Sequence, residues 1–322
     1  MVNEAMPISQ RLSWIAVDWG SSNLRAWAIG DDGRGLARGG SQRGMLSLAP
    51  GDYETALLEV VGDWLPVGRR TPVLVCGMAG ARQGWCEAAY LPLPARLDDL
   101  ARGAVSPTVA DPRLAVQLLP GLCQTREGAF DVMRGEETQL AGLVADDGAF
   151  SGLVGLPGTH AKWARLEQGA VSRFTTCLSG ELYGLLARQS LLKHSIGEDD
   201  LAAPGDREAF VSAVRDLHAN PGRYSAALFG LRAADLLDGE LPSGAVRGAR
   251  LAARLSGLTI GLELAGLGSE LTASDPITLI GNTALCTRYA LALESLGYAS
   301  RCLDGDTAVL AGLGLAYQAL PS

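Results

Sequence analysis

The sequence predicts an α/β protein built from two halves, and three observations support that prediction. The chain opens with a buried strand, a small polar turn and a returning strand, between Trp14 and Ile29. Similar apolar runs, each followed by a glycine-rich turn, recur among segments with helical spacing. Near residue 150 the strand–turn–strand pattern starts again. A length of 322 residues suits two domains, which we predict at 1–150 and 151–322.

Composition narrows the class of protein. The chain is 48% hydrophobic and 19% charged, which is ample for packed cores. Its net charge of -8 argues against a general binder of nucleic acid or of a membrane surface, because both need basic patches. The cysteines are dispersed without a CxxC pair, which disfavours a metal site and fits reduced thiols. With no apolar signal segment and no uninterrupted apolar run of membrane-spanning length, we expect a soluble cytoplasmic protein.

The opening turn is suited to phosphate. Gly20 lets the backbone approach an anion closely, and the N–H groups and hydroxyls of Ser21 and Ser22 can donate to phosphate oxygens. Asp18 closes the preceding strand, where a carboxylate can hold Mg²⁺ directly or through water. An ordinary hairpin with a solvated aspartate is the structural alternative.

Two later segments of the first half are candidates for ligand contacts. The loop from Gly77 to Trp85 combines small residues with Arg82 and Gln83, and it is either a ligand loop or a glycine-rich connection. Glu136 and Glu137 open a predicted helix, where acids also favour the positive end of the helix dipole without any catalytic role.

The second half repeats the phosphate pattern. Aligned with the opening turn, Gly158 falls at the position of Gly20 and Thr159 at that of Ser21. Two such turns facing each other across a cleft could hold the two ends of a polyphosphate. Lys162 follows closely and can neutralise phosphate, although a solvated strand lysine is an equal alternative.

A third glycine-rich position lies near the C-terminus. Gly281 and Asn282 end an apolar strand just before a predicted helix. Open α/β sheets bind ligands at such strand ends, where the helix N-terminus attracts anions. We therefore expect these two residues to contact a nucleotide.

The order of these pieces resembles the superfamily of sugar kinases, heat-shock ATPases and actin. More closely, the chain is similar to the 2-dehydro-3-deoxygalactonokinase family, through the following stretches: VDWGSSNLRAWAI, CGMAGARQGWCEAAYLPLPA, DVMRGEETQLAGL, LPGTHAKWA and LIGNTALCTRYALAL. The resemblance implies two ribonuclease H-like (actin-like ATPase) domains flanking a nucleotide cleft, with ATP and Mg²⁺ as cofactors. It also implies transfer of the terminal phosphate to the 6-hydroxyl of 2-dehydro-3-deoxy-D-galactonate in galactonate catabolism.

The resemblance also suggests roles for the acids. Asp18 would hold Mg²⁺, and the two phosphate turns would hold the phosphates. Glu136 is the preferred candidate for the base, with Glu137 as the alternative, because the Gly-Glu-Glu segment is similar to the Glu-Glu-Ala motif of exopolyphosphatases. The sequence departs from the superfamily at the second phosphate motif. That motif usually carries an aspartate, whereas this chain reads Leu156-Pro157-Gly158-Thr159, so the catalytic carboxylate must come from elsewhere.

The substrate contacts follow from the substrate's carboxylate, which needs a cation. Arg82 and Arg134 are the candidates, because guanidinium binds carboxylate in a bidentate way. Gln83 and Trp85 would add a hydroxyl contact and a wall. Gly281 and Asn282 would line the adenine and ribose.

Three other functions fit the same residues. The protein could phosphorylate another sugar or sugar acid, or hydrolyse polyphosphate or a nucleotide. It could also be an actin-like nucleotide switch. We expect a small sugar acid as the partner, with neither nucleic acid nor membrane, and a homodimer is a further expectation because it is the commonest symmetric assembly.

Overall fold

The computed structural model of the chain describes residues 6–272 and 277–320. Its strands, in chain order, are β1 (Leu12–Trp19), β2 (Leu24–Gly30), β3 (Gly35–Ser41), β4 (Thr71–Gly77), β5 (Tyr90–Pro92), β6 (Ala95–Arg96), β7 (Leu114–Leu118), β8 (Gly121–Arg126), β9 (Ala129–Met133), β10 (Gly152–Leu156), β11 (Ala161–Glu167), β12 (Ala170–Cys177), β13 (Ile277–Gly281) and β14 (Ser300–Asp304). Its helices are α1 (Ile8–Arg11), α2 (Tyr53–Val61), α3 (Glu136–Asp146), α4 (Ser179–Gln189), α5 (Pro204–Ala219), α6 (Tyr224–Leu237), α7 (Gly244–Leu267), α8 (Thr283–Ser295) and α9 (Gly305–Gln318). Short 3₁₀ turns occupy several of the connections.

The first compact unit is built on a five-stranded sheet in the order β3-β2-β1-β4-β7. Strands β1 to β3 form an antiparallel meander, and β4 and β7 then add in parallel. Side chains alternate across β1, so Ile15 and Val17 pack on one face of the sheet with α2, whereas Trp14 and Ala16 pack on the other with α9. Because both faces are covered, β1 reads as a nearly continuous apolar run.

The second unit repeats this order of strands. Its sheet runs β14-β13-β10-β11-β12, with β10, β13 and β14 parallel and the β11–β12 hairpin on one side. Counted within each unit, both sheets therefore have the strand order 3-2-1-4-5, which is the ribonuclease H-like arrangement. The predicted fold class, two α/β domains of this type, is confirmed.

The division of the chain differs in detail from the predicted domains. Residues 6–151 form one compact unit together with 166–173 and 305–320, and the remaining described residues form the other. The predicted second domain therefore loses to the first unit its last helix and also residues 166–173, which form the turn between β11 and β12 and the adjoining strand ends. Helix α9 crosses α3 so closely that a Cβ on Gly142 would lie 2.2 Å from the Ala308 carbonyl oxygen. The predicted outer limits at residues 1 and 322 lie outside the described residues.

Helix α7 is the central helix of the second unit. Gly257 and Gly261 lie inside it as points of close packing, where a Cβ would lie 2.4 Å from the carbonyl oxygen of Phe210 and 2.7 Å from that of Val214. By length and composition alone, the segment Gly244–Glu270 could cross a membrane, but 72% of its most apolar window is buried inside the protein. That burial is typical of a core helix.

Candidate active site

Asp18 lies where the two central parallel strands of the first unit end. The hairpin register places Arg25 of β2 directly opposite Asp18, and the parallel register with β4 places Cys76 beside it. As a result, Arg25 forms an ion pair with Asp18 Oδ2, and Cys76 Sγ lies 3.9 Å from Asp18 Oδ1. The position of Asp18 at the carboxyl end of a parallel strand is the usual place for a ligand in an open α/β sheet.

Arg25 joins Asp18 to the C-terminal helix. Its guanidinium also pairs with Asp306, the second residue of α9, which Arg38 contacts from β3. The Asp18 side chain is only 14% exposed, and burial raises the pKa of Asp18 even though the Arg25 charge lowers it. A further cation beside this partly desolvated carboxylate would therefore stabilise its charged form.

The predicted phosphate turn, Gly20–Asn23, is fixed through its backbone. The Gly20 amide donates to the Asn23 carbonyl oxygen at 2.8 Å, and the amides of Met45 and Leu46 donate to the turn at 3.1 and 3.0 Å. Ser21 and Ser22 are exposed, so their hydroxyls remain accessible to a ligand. The turn thus combines a held backbone with available donors.

The two glutamates of α3 lie in different surroundings. Glu137 is fully buried, and its two oxygens accept from the Gly135 amide at 2.7 Å and from the Thr138 hydroxyl at 3.0 Å. Burial raises the pKa of Glu137 to about 8, assisted by the neighbouring Glu136. Glu136 is half-buried and accepts from the Arg134 amide at 3.1 Å.

The start of α3 approaches the strand end that carries Asp18. A Cβ on Gly135 would lie 3.5 Å from the Gly77 Cα atom, and a Cβ on Gly77 would lie 3.5 Å from Asp18 Oδ1. Both glycines adopt positive φ, of 105° and 90°, which a side chain would strain. Asp18 and Glu136 therefore belong to one neighbourhood of the first unit.

The two arginines that were predicted to bind the substrate carboxylate differ in burial and in their partners. Arg134 is only 9% exposed, donates through Nη2 to the Ala88 carbonyl oxygen at 2.6 Å and lies 4.3 Å over the Tyr90 ring. Its Nε and Nη1 are buried and have no hydrogen-bond partner among the described residues. The Arg82 side chain is 80% exposed and pairs with Glu87 at 3.4 Å. Of these two arginines, Arg134 is thus the one whose buried donors have no partner among the described residues.

The other two candidates in the predicted ligand loop also differ in burial. Gln83 is exposed. Trp85 is half-buried and packs its ring 5.9 Å from Tyr53 and 6.1 Å from Trp19, between centroids. Trp85 therefore takes part in the core of the first unit, in addition to any wall that it offers to a ligand.

The second predicted phosphate turn, at Gly158 and Thr159 in the second unit, packs against the start of α4. A Cβ on Gly180 would lie 2.4 Å from the Gly158 carbonyl oxygen, and the Glu181 amide donates to the Thr159 carbonyl oxygen at 3.0 Å. Lys162 is 5% exposed on β11, with Nζ 3.4 Å from the His160 carbonyl oxygen. The alternative of a solvated strand lysine is therefore wrong, because the side chain is buried.

Gly281 and Asn282 meet the same turn from the neighbouring parallel strand. A Cβ on Gly281 would lie 3.5 Å from the Pro157 carbonyl oxygen. Asn282 caps α8, and its Oδ1 accepts from the Ala284 and Leu285 amides at 3.0 and 3.4 Å. Its side-chain oxygen is thus engaged in starting the helix.

A cavity of about 250 Å³ opens within the second unit beside Gly158. Helices α4, α7 and α8 form its walls, and its lining includes Ser179, Tyr183, Ser256, Thr259 and Tyr289. Arg288 and Asp199 also line it and pair at 2.8 Å. This cavity joins the second phosphate turn to the helix that Asn282 caps.

The sequence model of the 2-keto-3-deoxy-galactonokinase family matches residues 18–316. The chain belongs to this family. A relative from Rhizobium meliloti (strain 1021), named a probable 2-dehydro-3-deoxygalactonokinase, is 42% identical over 95% of this chain and 97% of its own. The 2-dehydro-3-deoxygalactonokinase of Escherichia coli (strain K12) is 35% identical over 93% of this chain and 96% of its own.

Solved structures agree with this result. A crystal structure from Sinorhizobium meliloti, described as a candidate 2-dehydro-3-deoxygalactonokinase, is 41% identical with a TM-score of 0.85 and covers 95% of this chain and 98% of that chain. The predicted family and enzyme class are confirmed, and the protein is a phosphotransferase of the 2-keto-3-deoxy-galactonokinase family.

Two groups of residues beside the candidate site residues were not predicted from the sequence. Arg25 could have been found by counting outward from the turn, because pairing Trp19 with Leu24 places Arg25 opposite Asp18. Asp306 and the lining of the cavity had no comparable signal, since they come from segments far apart in the chain. Among the described residues, no cluster of three or more His, Cys, Asp or Glu side chains could hold a metal ion.

Proposed function

We propose that the protein transfers the terminal phosphate of ATP to the 6-hydroxyl of 2-dehydro-3-deoxy-D-galactonate, as a step of galactonate catabolism. The observation that carries this proposal is the family match over residues 18–316. The buried guanidinium of Arg134, two nitrogens of which have no hydrogen-bond partner in the described part of the chain, supports an acidic substrate. Kinases of this family use ATP. The roles of single residues toward ATP, Mg²⁺ and the substrate are proposed from the geometry of each unit.

The phosphates of ATP would be held by backbone and hydroxyl donors. In the first unit these are Gly20, Ser21 and Ser22, whose turn is fixed and whose hydroxyls are exposed. In the second unit they are Gly158 and Thr159, with Lys162 nearby as a cation. Phosphoryl transfer depends mainly on such alignment and charge neutralisation.

Asp18 is the residue that would hold Mg²⁺. Oδ2 faces Arg25, whereas Oδ1 lies 3.9 Å from the Cys76 thiol. Burial raises the pKa of Asp18 although the Arg25 charge lowers it, so a cation beside Oδ1 would stabilise the charged form. A single carboxylate suits Mg²⁺, which usually combines one or two protein carboxylates with phosphate oxygens and water. Bound there, the ion would neutralise charge that develops on the phosphate oxygens.

Glu136 would accept the proton of the attacking hydroxyl. It is half-buried and lies at the start of α3, in the same neighbourhood as Asp18, so a substrate can reach its carboxylate. Glu137 is fully buried with both oxygens engaged, so its geometry suits a support for the helix start better than a base. Proton acceptance also needs access to the substrate hydroxyl, which favours Glu136.

The cavity of the second unit would take the nucleoside end of ATP. It adjoins Gly158 of the second phosphate turn, and Asn282 caps helix α8 of its wall. The predicted contacts of Gly281 and Asn282 with the adenine and ribose are then revised. Asn282 would shape the site by capping α8, while Arg288 and Tyr289 of that helix would face the ligand.

The test is an ADP-release assay with Mg·ATP. We expect turnover with 2-dehydro-3-deoxygalactonate that greatly exceeds turnover with its gluconate epimer, with plain hexoses or without acceptor. Equal ADP release without any acceptor would contradict the proposal and favour a phosphohydrolase or a nucleotide switch. The expected partner is thus a small sugar acid, and a cytoplasmic location and a homodimer remain predictions.

Replacing Arg134 with methionine should weaken binding of the sugar acid. A hydrogen-bonded charge contributes about 1.5–3 kcal/mol, so the KM for the acid should rise about 10- to 100-fold while the KM for ATP changes little. Arg82→Met is the matched control, and it should change either KM less than about threefold because its side chain is 80% exposed. A larger effect of Arg82→Met than of Arg134→Met would reverse the assignment.

A further inference from the structure

Glu263 of α7 is a buried carboxylate for which the proposed reaction has no use. It is 5% exposed. Trp163 Nε1 donates to its Oε1 at 2.6 Å, and the Tyr289 hydroxyl donates to its Oε2 at 2.9 Å. The Ser179 side chain also forms a hydrogen bond with this carboxylate. These three partners come from β11, α8 and α4, so one carboxylate joins three elements around α7.

Burying this carboxylate is unfavourable in itself. Burial raises the pKa of Glu263, although the three hydrogen bonds oppose the rise. An apolar residue at this position would leave the three buried donors without their acceptor. What the carboxylate provides is therefore a fixed orientation of those donors.

Two of those donors, Ser179 and Tyr289, line the 250 Å³ cavity of the second unit. A hydroxyl has one proton to donate and lone pairs with which to accept. Because each of these hydroxyls is hydrogen-bonded to Glu263, which as a carboxylate can only accept, each oxygen can only accept from a ligand. The hydroxyls of ribose and the amino group of a purine are suitable donors.

Ser179 also links this arrangement to the phosphate turn. It precedes Gly180, whose Cβ would lie 2.4 Å from the Gly158 carbonyl oxygen. A shift of the start of α4 would therefore move the cavity wall and the support of the turn together. The hydrogen bond between Ser179 and Glu263 connects that helix start to α7.

We propose that Glu263 is a positioning residue for nucleotide binding, which orients Ser179 and Tyr289 as acceptors for the nucleoside of ATP. The inference rests on the proposed function only in taking a nucleotide as the ligand. Direct binding of ADP by the full chain therefore tests it without any sugar acid. A failure of the proposed acceptor would appear separately, as normal ADP binding without phosphorylation.

The first variant is Glu263→Gln, which keeps the size of the side chain but turns an NH₂ group toward one of the donors. Isothermal titration should show the Kd for ADP rising about tenfold. In steady-state assays the KM for ATP should rise similarly, while the KM for the sugar acid and the kcat at saturation stay within about twofold. Tyr289→Phe should give a smaller rise in Kd. The double variant should bind ADP no more weakly than Glu263→Gln alone, because the two residues act as a unit.

Leu264→Ala separates this role from simple stability. Leu264 is fully buried in the apolar cluster that contains Trp163 and Tyr289. Its truncation should lower the melting temperature and leave the Kd for ADP unchanged. Three results would overturn the inference: wild-type affinity in Glu263→Gln, an equal loss of affinity in Leu264→Ala, or absence of ADP binding by the wild-type protein.

Discussion

Replacing Asp18 with alanine is expected to lower kcat by about 10³-fold or more while the protein stays folded. The carboxylate would hold the metal ion that neutralises phosphate charge, and losses of transition-state charge stabilisation in phosphoryl transfer have this size. The fold should survive because burial raises the pKa of Asp18, which means that its charged form is not a net source of stability. Steady-state assays and thermal melts measure the two effects.

The control for Asp18 is Asp32→Ala, which removes a 54% exposed carboxylate from the turn after β2. It should leave kcat unchanged within about twofold. Raising the Mg²⁺ concentration should also restore part of the activity of a weaker variant such as Asp18→Asn, since an amide oxygen is still a ligand. Full activity of Asp18→Ala would remove the metal-binding role.

The second large effect is expected for Glu136→Gln, which should lower kcat by about 10²- to 10⁴-fold, the range for loss of a general base. The amide cannot accept the proton, but its oxygen can still accept from the Arg134 amide, as Glu136 Oε2 does at 3.1 Å. The Kd values for ATP and the sugar acid should therefore change little. Single-turnover kinetics with saturating substrates would isolate the chemical step.

Glu137→Gln is the matched comparison, and it is expected to change the stability of the protein more than its kcat. Its kcat should fall less than about tenfold, below the range for a lost base. Burial raises the pKa of Glu137 from 4.5 to about 8, so the folded state binds more protons than the unfolded state between these values. This carboxyl therefore lowers the free energy of unfolding as pH rises from about 4.5 to 8. Melts at pH 5 and pH 8.5 should show a smaller loss in Glu137→Gln than in the wild type.

The opposite pattern would exchange the two assignments. If Glu137→Gln lost activity and Glu136→Gln did not, Glu137 would be the base. The wild-type kcat should then rise with pH up to about 8, where the Glu137 carboxyl ionises. If Glu136 is the base, as proposed, ionisation of Glu137 should not cause such a rise in kcat.

Sequence patterns predicted the structure correctly where the two paired strands are neighbours along the chain. The Trp14–Ile29 hairpin follows from an apolar run interrupted by a polar turn, and the repeat at residues 153–166 follows from the same pattern. The β5-β8-β9 sheet was not predicted, because its strands are short and Phe130 and Val132 lie exposed, without a clear buried face. The sequence assigned α9 to the second half only by its position in the chain.

What the sequence by itself determined was the fold class, the family and the residue types of the two phosphate turns, because these depend on local order along the chain. Only the tertiary structure decided which of the candidate side chains have unused donors or acceptors. Burial distinguishes Arg134 from Arg82 and Glu136 from Glu137. The Arg25–Asp306 pair joins residues 281 positions apart, and Glu263 lies 100 positions from Trp163. Such contacts form only when distant segments pack together, and a pattern along the chain contains no measure of that distance.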